Sequence, residues 1–141
     1  MVESTSKLLH KLTHSEKAMA YLRREAQDPS LASELQRLLD KAGMTPADWL
    51  LAADISRSYA YQILRGERRP GRDILLRTAL ALHLSVVDTQ RLLALGGCGA
   101  LYPRLRRDGA LIYALSRGLS PAETEELLLS LPERGLYGGS V

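Results

Sequence analysis

Arg57, Ser58, Tyr61, Gln62 and Arg65 fall on one face of a short helical stretch, and each can bond to a nucleic acid. Arginine presents a two-pronged donor to guanine O6 and N7, and glutamine pairs with adenine in the same way. Serine and tyrosine hydroxyls reach phosphate oxygens or base edges. Arg68 and Arg69 follow directly, where a chain leaving a groove would meet phosphate. Such contacts position a duplex and make its binding salt-dependent. The run from Arg57 to Arg77 also holds Arg72, with only Glu67 and Asp73 as acids. On a chain whose net charge is only +3, that points to a localised anionic partner or to a solvated arginine face.

For this face to work, a scaffold must hold it outward. Ala60 and Ile63 on the opposite side of the same stretch can pack against Leu50 and Ala53. Ser56 is a hydroxyl N-cap for a helix over 57–65, and Gly66 stops it. Upstream, Thr45 caps a helix over 46–53, with Pro46 at its first position, and Asp54-Ile55 makes the turn between the two. A preceding helix over 31–42 carries Leu31, Leu35, Leu38 and Leu39, starts at Ser30 and ends at Gly43. Helices are expected over 72–83 and from Ser85 to Leu95, the second stopping at a glycine cluster, 96–99, that reads as a hinge. Pro103 opens another to about Arg117, and Ser120-Pro121 with Glu123 starts a last one to Leu131. Residues 135–141 read as a frayed tail. No segment alternates like a strand, so the expected fold class is all-α.

Outside this block, the N-terminal stretch places Leu8, Leu12, Met19, Leu22 and Ala26 on one stripe. Thr13 and Glu16 have capping-box spacing, so a helix restart is expected near His14. The stripe suits a short coiled-coil seam, a flanking helix packed on the core, or a partly disordered arm. The N-terminal stretch lacks the apolar run and cleavage site expected of a secretory leader, no run is apolar enough to be expected to span a membrane, and the single Cys98 cannot close an internal disulfide, so a cytoplasmic location is expected. His10 and His14 stand four apart without a third metal ligand. With no phosphate loop, nucleophile elbow or paired carboxylates, no enzymatic activity, metal or cofactor is expected.

Residues 72–93 repeat at 107–128 with an offset of 35 and 10 identities in 22, among them Arg72/Arg107, Asp73/Asp108, Ser85/Ser120 and Thr89/Thr124. One helical hairpin is thus written twice. Each copy has an apolar stripe to cover, so the second should stack on the first or on another subunit.

Residues 31–95 resemble the Xre/Cro–C1 family of helix-turn-helix proteins. The resemblance is carried by the Leu35–Leu38 helix, Gly43-Met44-Thr45, Ala53-Asp54-Ile55-Ser56, Tyr59, Gln62-Ile63, Arg65-Gly66-Glu67-Arg68-Arg69-Pro70 and the Leu80–Ser85 stretch. It implies a five-helix DNA-binding domain, here flanked by an N-terminal helical arm (1–29) and a C-terminal helical hairpin (98–133), the domain itself spanning 30–97 and a tail 134–141. It implies a sequence-specific transcriptional regulator that places the 56–65 helix in the major groove of double-stranded DNA, acting as a homodimer. Arg57, Ser58 and Gln62 would face bases; Tyr59, Arg65, Arg68 and Arg69 would face the backbone, and Thr45, Ser56 and Tyr61 complete the contact set. Two positions depart from the family. Pro46 stands where a phosphate-contacting Gln is common, and Asp54 where the turn usually has Gly. These departures keep open an alternative: a protein-interaction module on the same scaffold, such as an antitoxin or an accessory subunit of a nucleoprotein complex, using the C-terminal hairpin for its partner.

Overall fold

The computed structural model describes residues 4–14, 18–19 and 30–137, and these are all-helical, with no strand among them. Eight helices can be bounded among the described residues: α1 Thr5–His14, α2 Leu31–Ala42, α3 Pro46–Ala53, α4 Arg57–Leu64, α5 Arg72–Ala81, α6 Val86–Leu95, α7 Arg106–Arg117 and α8 Pro121–Ser130. None is long and apolar enough to cross a membrane.

One corner chemistry recurs four times. At Gly43-Met44-Thr45, Asp54-Ile55-Ser56, His83-Leu84-Ser85 and Gly118-Leu119-Ser120, a left-handed residue ends one helix and a hydroxyl caps the next. The apolar residue between them turns inward. Its N–H bonds back five residues, from Met44 to Leu39, Ile55 to Leu50, Leu84 to Ala79 and Leu119 to Ala114, at 2.9 to 3.0 Å. Each corner therefore satisfies carbonyls at the end of one helix and amides at the start of the next without water. Asp54 takes the left-handed conformation that glycine would otherwise supply, at φ 56.

Between these corners lies a single core. Leu35 and Leu39 of α2, Trp49 of α3, Ile63 of α4, Leu75, Leu76 and Leu80 of α5, and Leu92 and Leu93 of α6 are buried with Leu111 of α7 and Leu128 of α8. α3 packs on α5, α2 on α4 and α6, and α5 on α7 and α8. Trp49 is anchored as well as buried: its Nε1–H donates to Thr78 Oγ1 at 2.9 Å, and the Thr78 hydroxyl donates to the Ile74 carbonyl.

The second hairpin thus stacks on the first, and the repeat explains how. Arg72 donates to both oxygens of Asp108, at 3.0 and 2.9 Å. Arg107 donates to both oxygens of Asp73, at 3.2 Å each. Each copy's arginine holds the other copy's aspartate, and α5 meets α8 as α6 meets α7. Reciprocal exchange of this kind is the mark of an isologous interface, here closed within one chain. Other bonds repeat at the same offset. Arg72 donates to the carbonyls of Gly99 and Ala100, and Arg107 to those of Arg134 and Gly135. Gln90 Oε1 accepts from Leu101 N–H at 2.7 Å, and Glu125 Oε1 from Leu136 N–H at 2.7 Å.

These bonds correct several expectations. The tail is not frayed as far as Tyr137: Leu136 is buried in the core, held by Arg107 and Glu125. The glycine cluster is a packed turn rather than a hinge. Cys98 N–H bonds to the Leu93 carbonyl, and Gly96 lies so close to α5 that a Cβ there would sit 2.5 Å from Leu75 Cδ1. Helix α7 starts at Arg106, not Pro103, because Tyr102 N–H is drawn to Asp108 and the chain turns through 103–105 first. Helix α5 ends at Ala81, two residues early, where His83 adopts the left-handed conformation of its corner. Near the N-terminus α1 includes Thr13, whose hydroxyl donates to the Leu9 and His10 carbonyls; the capping box expected between Thr13 and Glu16 falls on residues outside those described. Glu16, Leu22 and Ala26 lie outside the described residues. Leu12 and Met19 are exposed.

Candidate nucleic-acid interface

Four similar corners raise the question of which following helix carries a surface with recognition chemistry. The exposed side of α3 holds Ala47, Asp48 and Leu51; that of α6 holds Val87, Arg91 and Ala94; that of α8 holds Ala122, Glu123, Glu126, Leu129 and Ser130. Only α4 presents a polar, acid-free and cationic side. Arg57 and Ser58 are exposed, and Tyr61 and Gln62 are half-buried. With Arg65 just past the helix end, these residues span an arc of about 140° at 3.6 residues per turn. Ala60 and Ile63 on the opposite arc are buried. The sequence predicts both sides, because the 3.6-residue period separates them cleanly.

Around this stripe the cations are held in different ways. The Arg57 guanidinium lies over the Tyr61 ring, 5.5 Å from its centroid, and Arg68 lies over Tyr59 at 6.0 Å. Both stay exposed, so the rings hold the charge outward without neutralising it. Arg65 behaves otherwise. It forms a forked pair with Glu67, at 2.7 and 3.1 Å. The Glu67 hydrogen bonds hold its guanidinium even more firmly protonated, and the same contacts pull the Glu67 carboxyl below its usual range. To reach an external anion, Arg65 must exchange that partner. Arg69 folds toward Gly97, where any Cβ would lie 2.8 Å from its Nη1.

The two capping hydroxyls have a double use. Ser56 Oγ accepts from Tyr59 N–H at 3.2 Å, and Thr45 Oγ1 from Asp48 N–H at 3.1 Å. A capping oxygen still has its proton to donate, so each exposed hydroxyl can cap a helix and offer a donor outward. Thr45 stands at the far end of α3 from the turn, about 12 Å along the axis at 1.5 Å per residue. It is therefore grouped with Arg57 and Gln62 by the resemblance and not by adjacency. Asp48 completes the box at Thr45: the Thr45 backbone N–H, with its hydroxyl, holds the Asp48 carboxyl below its usual range. Pro46, at the first position of α3, adds no donor.

The repeat continues past Leu93 and Leu128, where the expected copies end, and the groups that fix the second hairpin lie in this continuation. The signal was present: Leu101-Tyr102 recurs as Leu136-Tyr137 at the same offset. Tyr137 lies under the Arg77 guanidinium, 4.9 Å from the ring centroid, and its hydroxyl points to the Ala52 carbonyl of α3. Burial raises the Tyr137 phenol above its usual range.

No family model, curated protein sequence or solved structure matches this chain.

Proposed function

We propose that this chain is a sequence-specific regulator of transcription that binds double-stranded DNA, with α4 lying in the major groove. One observation carries this proposal: among the helices that follow a corner, α4 alone turns outward a face of Arg57, Ser58, Tyr61 and Gln62, held from behind by buried Ala60 and Ile63. Arg57 and Gln62 are the base-reading groups, with Ser58 and Tyr61 beside them. Arg65, Arg68 and Arg69 meet phosphate, and Tyr59 supports Arg68. The Ser56 and Thr45 hydroxyls add donors at the starts of α4 and α3. The resemblance of residues 31–95 to the Xre/Cro–C1 family, and the five consecutive helices α2 to α6, support the same conclusion. We place the protein in the cytoplasm on this basis.

Selection of bound sequences from random duplex DNA, repeated at low and physiological salt, tests the proposal. A single consensus should emerge at both salts. Recovery of arbitrary sequence at low salt, with none retained at physiological salt, would leave only a basic surface.

A protein-interaction module remains the second proposal, favoured by Pro46, by the Arg65–Glu67 pair that occupies a flanking cation, and by an exposed aromatic face on α7. It predicts no consensus and a stoichiometric protein complex.

A further inference from the structure

The internal repeat has an unmatched side. On the first hairpin, α3 covers α5: Trp49 bonds to Thr78, which is fully buried, and Ala52 of α3 meets the Tyr137 hydroxyl. Moving along the repeat by its offset of 35 carries Thr78 to Tyr113 and Tyr137 back to Tyr102. Neither counterpart has its cover. Tyr113 is 50% exposed and Tyr102 52%, and nearby Leu105 is 55% exposed. The face of α7 that corresponds to the one α3 occupies on α5 is thus open among the described residues. Tyr113 on this face and Tyr102 and Leu105 in the segment that leads into α7 are three of the large exposed apolar side chains among the described residues. Arg117 lies over the Tyr113 ring, 5.3 Å from its centroid, without a carboxylate partner among the described residues.

A helix that fills this place must bring apolar side chains and negative charge, because Arg104, Arg106 and Arg117 flank the face. Helix α1 brings Leu9 and Leu12, but also Lys7 and no acid in its first turn, so it is the wrong sign. Helix α8 has the right chemistry. Its open side holds Glu126 and Leu129, the latter 60% exposed. Packing of α8 against α7 of the same molecule turns Thr124 and Leu128 inward and leaves Glu126 and Leu129 exposed.

We propose that the α7 face binds α8 of a second copy of this chain, in a two-fold dimer. Tyr102 and Tyr113 of each protomer cover Leu129 of the other, and Arg117 meets the other's Glu126. The dimer stands independently of DNA binding and would pair two α4 helices in one particle.

Sedimentation equilibrium of the full chain over a micromolar concentration series tests this, with helical circular dichroism to verify folding. The wild-type chain should be a dimer. Tyr113→Asp, at a half-exposed site, should weaken association at least tenfold with helix content unchanged, and Leu129→Asp should do the same from the other side. Arg117→Glu alone and Glu126→Arg alone should each dissociate. Mixed together they should form a heterodimer, since both reversed charges then meet opposites. A monomeric wild-type chain would overturn the proposal. So would a dimer untouched by Tyr113→Asp and Leu129→Asp, or failure of the two charge-reversed variants to associate.

Discussion

Arg72 and Asp108 form a forked ion pair across the two halves of the repeat, and Asp108 is only 4% exposed. Its counterpart, Arg107 with Asp73, closes the same seam in the opposite sense at 3.2 Å. A duplicated hairpin thereby packs on itself through one Arg-Asp dipeptide used twice. The arginines also bind the carbonyls at the end of their own hairpins, so each guanidinium fixes both a loop and the neighbouring unit.

Removing one partner leaves a buried charge. Asp108→Ala should cost about 3 kcal/mol of stability, since it strands Arg72 and frees the Tyr102 amide. Asp73→Ala should cost less, about 1 to 2 kcal/mol: although Arg107 is the more buried arginine, Asp73 is partly exposed, its bonds to Arg107 are longer, and Arg107 keeps its bonds to the Arg134 and Gly135 carbonyls. Urea denaturation of both variants gives the comparison. Equal costs would mean that the two pairs do not differ in burial as they do here.

The same pair makes stability depend on acid. Burial alone would push the Asp108 carboxyl up, but hydrogen bonds from Arg72 and from the Tyr102 amide outweigh it and hold the group below its usual range. A carboxyl with a depressed folded-state pKa stabilises the fold above its unfolded pKa, about 3.9 for Asp, and that stabilisation is lost as pH falls through the folded value. Thermal melts from about pH 5 down to about pH 2 should therefore show a steep loss in the wild-type chain and a shallower one in Asp108→Asn. Identical slopes would remove Asp108 from the acid transition.

Gly96 and Gly99 lie in one glycine cluster but should respond differently. A methyl at Gly96 meets buried Leu75 at 2.5 Å, whereas nothing lies within 4 Å of a Cβ at Gly99. Gly96→Ala should cost about 1 to 3 kcal/mol through overpacking. Gly99→Ala should fall within about 0.5 kcal/mol of wild type. Chemical denaturation resolves the two. A neutral Gly96→Ala would restore the hinge that the sequence suggests.

Local chemistry was legible in the sequence wherever it was decided by neighbours in the chain. Thr45, Ser56, Ser85 and Ser120 cap the helices that follow them, and Gly43, Gly66 and Gly118 take left-handed conformations. The inward and outward sides of α4 follow from its period alone. What could not be read was set by contacts distant in sequence. Gly96 looks like a hinge until Leu75 is placed against it. Residues 134–137 look loose until Arg107 and Glu125 reach them. The ion pair that turns Arg65 toward Glu67, and the folding of Arg69 onto Gly97, depend on side-chain choices that spacing does not specify.

The central proposal is that α4 reads base edges while the arginines after it hold phosphate. It is tested most directly by equilibrium binding of Gln62→Ala and Arg68→Ala to a selected site and to a scrambled duplex, each over a salt series. Gln62→Ala should lose about 1 to 3 kcal/mol on the selected site and little on the scrambled one. Arg68→Ala should weaken both alike and reduce the salt slope by about 1. Parental affinity and salt slope in both variants, on both duplexes, would contradict the placement of α4 in the groove.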